Sequence, residues 1–179
     1  MRIIGGKLKG IRLNPPKKLP VRPTTDMAKE ALFNILGNKV DIEQLKILDL
    51  FSGTGNISLE FASRGAKQIT SVDINFGCVS YLKTTSKELD LAQISTFKSD
   101  VFKFLNAETE KYDLIFADPP YDISKIPEIA QIVFNKQLLA DDGLLIIEHQ
   151  SMHNLGNHPN FVEKRKYGYS AFSFFINHS

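Results

Sequence analysis

From Lys46 onward, short apolar runs alternate with amphipathic segments, and this alternation constrains the fold more than any other feature of the chain. Five strands are predicted, at 46–50, 68–72, 94–98, 112–117 and 143–148. One helix is predicted between each consecutive pair of strands, at 56–64, 76–91, 101–106 and 126–137. Because consecutive parallel strands need a crossover connection, the alternation predicts an α/β fold with a doubly wound, mostly parallel sheet.

Two further strand-like runs, 160–167 and 170–177, meet around Gly168 with no room for a crossover helix. They are predicted to pair as an antiparallel hairpin at one edge of the sheet, which brings the total to seven strands.

The first 23 residues are predicted to be a separate basic hairpin and linker, ahead of a main domain at 24–179. Two short apolar runs flank the turn at 5–9, which favours an exposed β-hairpin. Prolines then interrupt 14–23, so this linker is expected to cross the surface. Thr24 or Thr25 can cap the helix that follows, and Gly37 is expected to end it.

Composition bounds the class of protein. The chain has 179 residues, of which 42% are hydrophobic and 23% charged, and no apolar run approaches the roughly 20 residues of a membrane span. It has one cysteine and no recognisable secretory signal, so a cytoplasmic protein is expected. A monomer is expected as well.

Charge is distributed unevenly along the chain. The net charge is only +2, yet residues 1–25 contain seven basic residues and no acidic one. A basic arm on a mildly acidic body is typical of polyanion binding, although a solvated tail is the alternative. RNA contacts are therefore predicted for Arg2, Lys7, Lys9, Arg12 and Arg22.

The tetrapeptide Asp118-Pro119-Pro120-Tyr121 follows directly on the apolar run 112–117. An exocyclic base amine is a poor nucleophile, and here Asp118 and the Pro119 carbonyl could accept its N–H bonds. The two prolines fix the backbone, and the Tyr121 ring could stack on the base. An ordinary turn is the alternative, but the position at a strand's carboxyl end favours a site that methylates a planar nitrogen.

The first strand of the alternation leads into a glycine loop, and a helix follows. The residues predicted to hold a cofactor there are Asp49, Phe51, Ser52, Gly53, Thr54, Gly55 and Asn56. A dinucleotide is disfavoured, because Ser58 replaces the third glycine of that fingerprint and the Asp49 carboxylate would repel a pyrophosphate. A cationic ligand such as S-adenosylmethionine suits this loop, since Asp49 could bind its ammonium group.

Acidic residues also end the second and third strands. Asp73, followed by Ile74, could accept both ribose hydroxyls, whereas Asp100 and Val101 could contact the adenine. Solvated strand ends are the alternative for Asp49 and Asp73, and a simple helix cap is an equal alternative for Asp100. The four histidines have no metal-ligand spacing, so no metal site is predicted.

Taken in order, the two strand-end loops, Asp73 and Asp100 resemble the class I, Rossmann-like methyltransferases. Further motifs resemble one group of these enzymes, the RsmD family of 16S ribosomal RNA guanine-N2 methyltransferases, over nearly the whole chain. They are Arg2-Ile3-Ile4-Gly5-Gly6, Arg22-Pro23-Thr24-Thr25-Asp26, Glu30-Ala31-Leu32-Phe33-Asn34-Ile35-Leu36, Asp49-Leu50-Phe51-Ser52-Gly53-Thr54-Gly55, Ser63-Arg64-Gly65-Ala66 and Lys166-Tyr167-Gly168.

The resemblance implies S-adenosylmethionine as methyl donor and 16S ribosomal RNA as partner, in the small subunit or an assembly intermediate. Two features depart from the family pattern: Met27-Ala28 stands where relatives often have a more basic or polar helix start, and Asp73 is shorter than the Glu common there. Three alternatives remain open at this point: a DNA adenine-N6 or other amino-group methyltransferase, a non-catalytic RNA-binding assembly protein, and, less favoured, a nicotinamide oxidoreductase.

Overall fold

A computed structural model describes residues 1–21 and 24–178. Seven strands form one sheet: β1 (Lys46–Leu50), β2 (Gln68–Asp73), β3 (Ile94–Lys98), β4 (Tyr112–Ala117), β5 (Leu139–Gln150), β6 (Phe161–Tyr167) and β7 (Ser170–Ile176). The α-helices are α1 (Asp26–Gly37), α2 (Asn56–Ser63), α3 (Phe76–Glu88), α4 (Val101–Ala107) and α5 (Ile126–Asn135), and a 3-10 turn, Ile42–Gln44, precedes β1.

The strand order is β3-β2-β1-β4-β5-β7-β6. Strands β1 to β5 pair in parallel, and β7 lies between β5 and β6, antiparallel to both. The order confirms the predicted doubly wound sheet with an antiparallel C-terminal hairpin.

Helices cover both faces of the sheet, because the central strands are apolar on both faces. Along β4, Leu114 and Phe116 join the core under α1, α2 and α3. Ile115 and Ala117 join the core under α4 and α5. Parallel strands buried on both faces read as continuous apolar runs, which is why the sequence pattern identifies them.

The two largest differences from the predicted element boundaries are at the end of α3 and the start of β5, and a left-handed backbone residue accompanies each. Helix α3 ends at Glu88 rather than 91, since Asp90 has φ 54° and Leu91 turns back to bond the Ser86 carbonyl. Strand β5 begins at 139 rather than 143, with Asp142 at φ 61° beside a register shift against β4.

The N-terminal arm, residues 1–13, forms a hairpin-like loop with one β-bridge, Arg2 to Arg12, rather than two full strands. The expectation that it is an exposed ribbon is wrong for its apolar face. Ile3 is only 2% exposed and belongs to the core beneath α1 and α2.

A buried carboxylate fixes this arm to the body. Both oxygens of Glu60 on α2 accept backbone N–H groups of the arm, from Ile4 and Gly5, at 2.9 Å each. They also meet Lys29 Nζ of α1 at 3.1 Å and Arg64 Nε at 2.8 Å. Burial alone would raise the pKa of Glu60, but these donors and cations together lower it below the ordinary value.

The arm also fits closely against the end of α2. Gly6 has φ +77°, and a Cβ there would lie 2.0 Å from the Ser63 carbonyl oxygen. A side chain at this position would therefore clash with backbone as well as strain its own. Lys7 and Leu8 donate their N–H groups to Ser63, which completes the contact.

No helix in the described ranges, 1–21 and 24–178, is long and apolar enough to cross a membrane.

Replacing Glu60 with glutamine should lower the free energy of unfolding by about 3–5 kcal/mol, because it leaves the buried Lys29 ammonium without its counter-charge. Urea unfolding followed by circular dichroism measures this loss. Glu88→Gln, an exposed change on α3, is the matched control and should alter stability by less than about 0.5 kcal/mol. Equal effects of the two changes would contradict a structural role for the Glu60 cluster.

Candidate functional site

A cavity of about 1000 Å³ opens at the carboxyl edge of the parallel strands. It lies where the strand order reverses, between β1 and β4, which is where open α/β sheets bind ligands. Every predicted cofactor and catalytic residue except Gly55 lines it: Asp49, Phe51, Ser52, Gly53, Thr54, Asn56, Asp73, Ile74, Asp100, Val101, Asp118, Pro119, Pro120 and Tyr121.

The loop after β1 holds a strained conformation at the base of the cavity. Phe51 has φ 59°, which is unusual for a bulky residue, and its ring packs edge-on against Phe102 at 6.3 Å. Gly55 precedes α2 at φ +93°, and a Cβ there would meet Leu82 Cδ1 at 2.3 Å. Gly55 therefore allows close packing of α2 on α3 behind the cavity.

Asp49, at the end of β1, is a buried carboxyl group on the cavity wall. It is 1% exposed, and Ser58 Oγ donates to its Oδ2 at 2.5 Å while also contacting Ser71 Oγ at 2.6 Å. Burial raises its pKa from an ordinary 3.8 to about 7, the Ser58 bond opposes this shift, and nearby Asp73 adds to it. A cation placed in the cavity would relieve this cost.

Asp73, the last residue of β2, holds the loop after β1 and the loop after β2. Its Oδ2 accepts the Gly53 N–H at 2.8 Å, and its Oδ1 accepts the Asn75 N–H at 2.9 Å. A carboxylate has about four acceptor positions, so these bonds leave capacity for ligand hydroxyls.

Asp100 caps α4, as the alternative interpretation of this residue expected. Its Oδ1 accepts the Lys103 N–H at 3.0 Å. Asp100 and the buried Val101 nevertheless line the cavity, so the cap does not remove them from the site.

The loop after β4, residues 118–121, forms the other wall. The Asp118 N–H donates to the Leu50 carbonyl at 3.3 Å, which ties this loop to the end of β1. Pro119 is buried, whereas Pro120 is exposed and its carbonyl accepts the Ile123 N–H. The Tyr121 hydroxyl meets Ser170 Oγ of β7 at 2.6 Å, a contact that the sequence did not indicate.

The linker crosses the surface as expected and also contributes to the cavity. Pro15, Pro20 and Val21 line the cavity, as do Met1 and the start of α1. Leu19 lies against the first turn of α3, where a Cβ on Gly77 would come within 2.6 Å of it, and Val21 lies against the loop after β1, where a Cβ on Gly53 would come within 3.2 Å. No sequence signal indicated this packing, because proline-rich composition predicts irregular structure but not its location.

Of the predicted RNA-binding cations, the four that the structure describes, Arg2, Lys7, Lys9 and Arg12, do not line the cavity. Arg2 pairs with Asp26 at 3.2 Å, whereas Lys7, Lys9 and Arg12 are exposed. The arm's turn contacts Ser63 at the carboxyl end of α2, and α2 begins at the cavity and runs about 11 Å away from it. Arg22 lies outside the described residues.

Within the described part of the chain, no group of three or more potential metal ligands comes together. His149, for example, is buried in β5, where its ring nitrogens meet Ser173 Oγ and the Gln150 carbonyl, both at 2.7 Å.

Comparisons with known proteins agree with this arrangement. A family model described as "Conserved hypothetical protein 95" matches residues 1–176. The chain is 33% identical to a candidate rRNA methyltransferase, YlbH, of Bacillus subtilis, over 83% of this chain and 82% of that protein. It is 30% identical to the ribosomal RNA small subunit methyltransferase D of Escherichia coli, over 89% and 79% respectively.

A solved structure has the same fold over nearly its whole length. It is a candidate methyltransferase, yhhF, from Escherichia coli, with a TM-score of 0.88 and 28% identity, covering 99% of this chain and 98% of that one.

The raised pKa of Asp49 predicts a pH-dependent contribution to stability. The folded protein holds a proton on Asp49 between about pH 4 and 7 that the unfolded chain releases, so this contribution falls as the pH rises through that window. Relative to Asp49→Asn, the wild type should lose on the order of 2 kcal/mol of unfolding free energy between pH 5 and 7.5. Urea unfolding of both proteins at the two pH values measures this, and a constant difference would contradict the assignment.

Proposed function

The chain belongs to the family described as Conserved hypothetical protein 95, the RsmD-type methyltransferases, and from this premise we propose that it methylates the exocyclic N2 amine of a guanine in 16S ribosomal RNA. The methyl donor is S-adenosylmethionine. The observation that carries the proposal is that one cavity contains both the acidic residues at the ends of β1 and β2, Asp49 and Asp73, and the Asp118–Tyr121 loop after β4.

The cavity residues fit the methyl donor. Bound S-adenosylmethionine supplies a methyl group on a cationic sulfur, which is already activated for displacement. Asp49 offers a buried carboxylate for an ammonium group, Asp73 offers acceptors for ribose hydroxyls, and Ile74 is an exposed apolar side chain on the cavity wall. The volume of about 1000 Å³ leaves room for an acceptor base beside the donor.

The Asp118–Tyr121 loop suits an aromatic amine. We assign Asp118 to hold an N–H bond of the amine and to stabilise the positive charge that develops on nitrogen, with the Pro119 carbonyl as a second acceptor. Pro120 fixes the backbone of the loop, and the Tyr121 ring, anchored by Ser170, provides a stacking surface for the base. Holding the amine in place accounts for much of the rate enhancement, since the donor needs no activation.

The acceptor base must leave its stack to enter the cavity, so single-stranded or flipped RNA is the proposed substrate form. Two curated relatives carry ribosomal RNA methyltransferase names, which supports ribosomal RNA over DNA. We also propose that the exposed cations of the arm, Lys7, Lys9 and Arg12, contact the RNA backbone. The substrate implies a cytoplasmic enzyme that meets the small subunit or an assembly intermediate. The described residues of a single chain line the cavity, and a monomer is the proposed active form.

Asp118→Ala should reduce methyl transfer by at least about a hundredfold while leaving the donor's Kd within about threefold, because the side chain contacts the amine and not the donor. Single-turnover methylation with labelled donor measures the first quantity and calorimetry the second. Asp122→Ala removes an exposed carboxylate four residues along and should change neither. Parallel loss of donor binding and transfer in Asp118→Ala would make this residue part of the donor site instead.

The substrate itself can be tested by incubating the protein with labelled methyl donor and unmodified small subunits, naked 16S RNA or DNA. Nucleoside analysis of the products should show N2-methylguanosine from one of the RNA substrates and no label in DNA. N6-methyladenosine, or label in DNA alone, would replace the proposal with an adenine-N6 enzyme. Donor binding without transfer to any of the three would indicate a non-catalytic assembly protein.

A further inference from the structure

We propose that the β6–β7 hairpin is a second RNA-binding surface, which holds nucleotides flanking the target base as they leave the active-site cavity. The proposal rests on the proposed function for the identity of the RNA and its path, but its charge and geometry are independent of the chemistry.

The hairpin turn lies at the catalytic edge of the sheet. Strand β7 starts at Ser170, opposite Gln150 at the carboxyl end of β5, and β5 is the neighbour of β4. The Tyr121–Ser170 hydrogen bond joins the hairpin directly to the acceptor loop. With strands about 4.8 Å apart, β6 lies about 14 Å from β4, within reach of the nucleotides next to a bound base.

The hairpin is cationic. Lys164, Arg165 and Lys166 are consecutive on β6, and Glu163 is the one acidic residue after Glu148 in the sequence. Glu163 pairs with Arg165 at 3.2 Å and with Lys39 at 3.6 Å, so this acid is compensated on its own face of β6. Because strand side chains alternate, Lys164 and Lys166 add positive charge on the opposite face.

The turn also presents an aromatic ring to solvent. Tyr169 is 92% exposed, whereas its near neighbour Tyr167 packs on Phe172 at 5.8 Å. The backbone around Tyr169 is fixed, because Ser151 donates its N–H to the Tyr169 carbonyl at 2.7 Å and Lys164 Nζ bonds the Ser151 carbonyl. A solvent-facing tyrosine ring on a fixed backbone, beside cations, is the combination with which proteins stack and hold single-stranded nucleic acid.

Protection of an edge strand explains part of this pattern but not all of it. Lysines on β6 prevent edge-to-edge pairing with another sheet, since β6 pairs only with β7 among the described strands. That role requires neither the exposed Tyr169 nor cations at the end of the strand nearest the acceptor loop. The N-terminal arm, by contrast, presents Lys7 and Lys9 near the far end of α2.

The charge contribution is tested with Arg165→Gln/Lys166→Gln in the full-length protein, using filter binding to naked 16S RNA over a range of salt concentrations. The pair should weaken binding and lower the slope of log K against log salt by about 1 to 2, one counterion contribution for each charge. Lys83→Gln/Lys87→Gln removes the same charge from exposed positions of α3 and should leave affinity and slope unchanged.

The aromatic contribution is tested with Tyr169→Ala and Tyr169→Phe. Loss of the ring should weaken RNA binding at least about fivefold and raise the KM for RNA with little change in kcat, whereas phenylalanine should retain wild-type values. Calorimetry with S-adenosylmethionine should give the same Kd for all variants, and circular dichroism should show the same fold.

Wild-type affinity and salt slope in both the charge pair and Tyr169→Ala would overturn the proposal. The proposal would also be overturned if these variants bound naked RNA normally and only their binding to assembled subunits were impaired, because the surface would then recognise a ribosomal protein. Failure of the proposed function would be seen differently, as the absence of methylation by the wild-type protein. The RNA-binding measurements need no turnover, so they test the hairpin surface independently.

Discussion

The parallel pairing of β1 with both β2 and β4 is the constraint on which the rest of the structure depends. It places the carboxyl ends of these strands at one edge, and the chain must reverse its direction of winding there, which opens a crevice. The loop after β1 and the loop after β4 are then neighbours, joined by the Asp118–Leu50 backbone hydrogen bond. Donor and acceptor regions that are 63 residues apart along the chain, from Gly55 to Asp118, share a single cavity as a result.

The buried Glu60 cluster extends this arrangement to the N-terminus. Its carboxylate binds the arm, and Lys29, which faces it from α1, also bonds Asn56 Oδ1 at 2.9 Å, at the start of the cofactor-side helix. Because the arm is fixed to the body at Ile4, the linker that follows it passes over the cavity, where Pro15, Pro20 and Val21 line the wall. A buried ionic group is costly by itself, so its value here is in specifying one position for the arm.

The sequence predicted the strands of the sheet close to their observed positions, but it did not predict that the apolar face of the arm is buried. Buried parallel strands such as β4 are continuous apolar runs, and the helices between them keep a 3.6-residue period, so both can be recognised locally. The end of α3 and the start of β5 differ from the predicted positions because Asp90 and Asp142 adopt left-handed backbone conformations that depend on their surroundings. In the arm, the lysines dominate the composition, whereas burial of Ile3 requires α1 and α2 to be present first.

The sequence by itself determined the α/β class, the strand-end acids and the Asp118–Tyr121 loop, because each depends on residue type and local spacing. Only the tertiary structure decided that burial raises the pKa of Asp49 to about 7, that Tyr121 is anchored by Ser170, and that the linker lines the cavity. Those properties depend on burial and on contacts between residues distant in sequence. The local spacing of residues does not predict such contacts, because desolvation and packing arise only when the whole chain has folded.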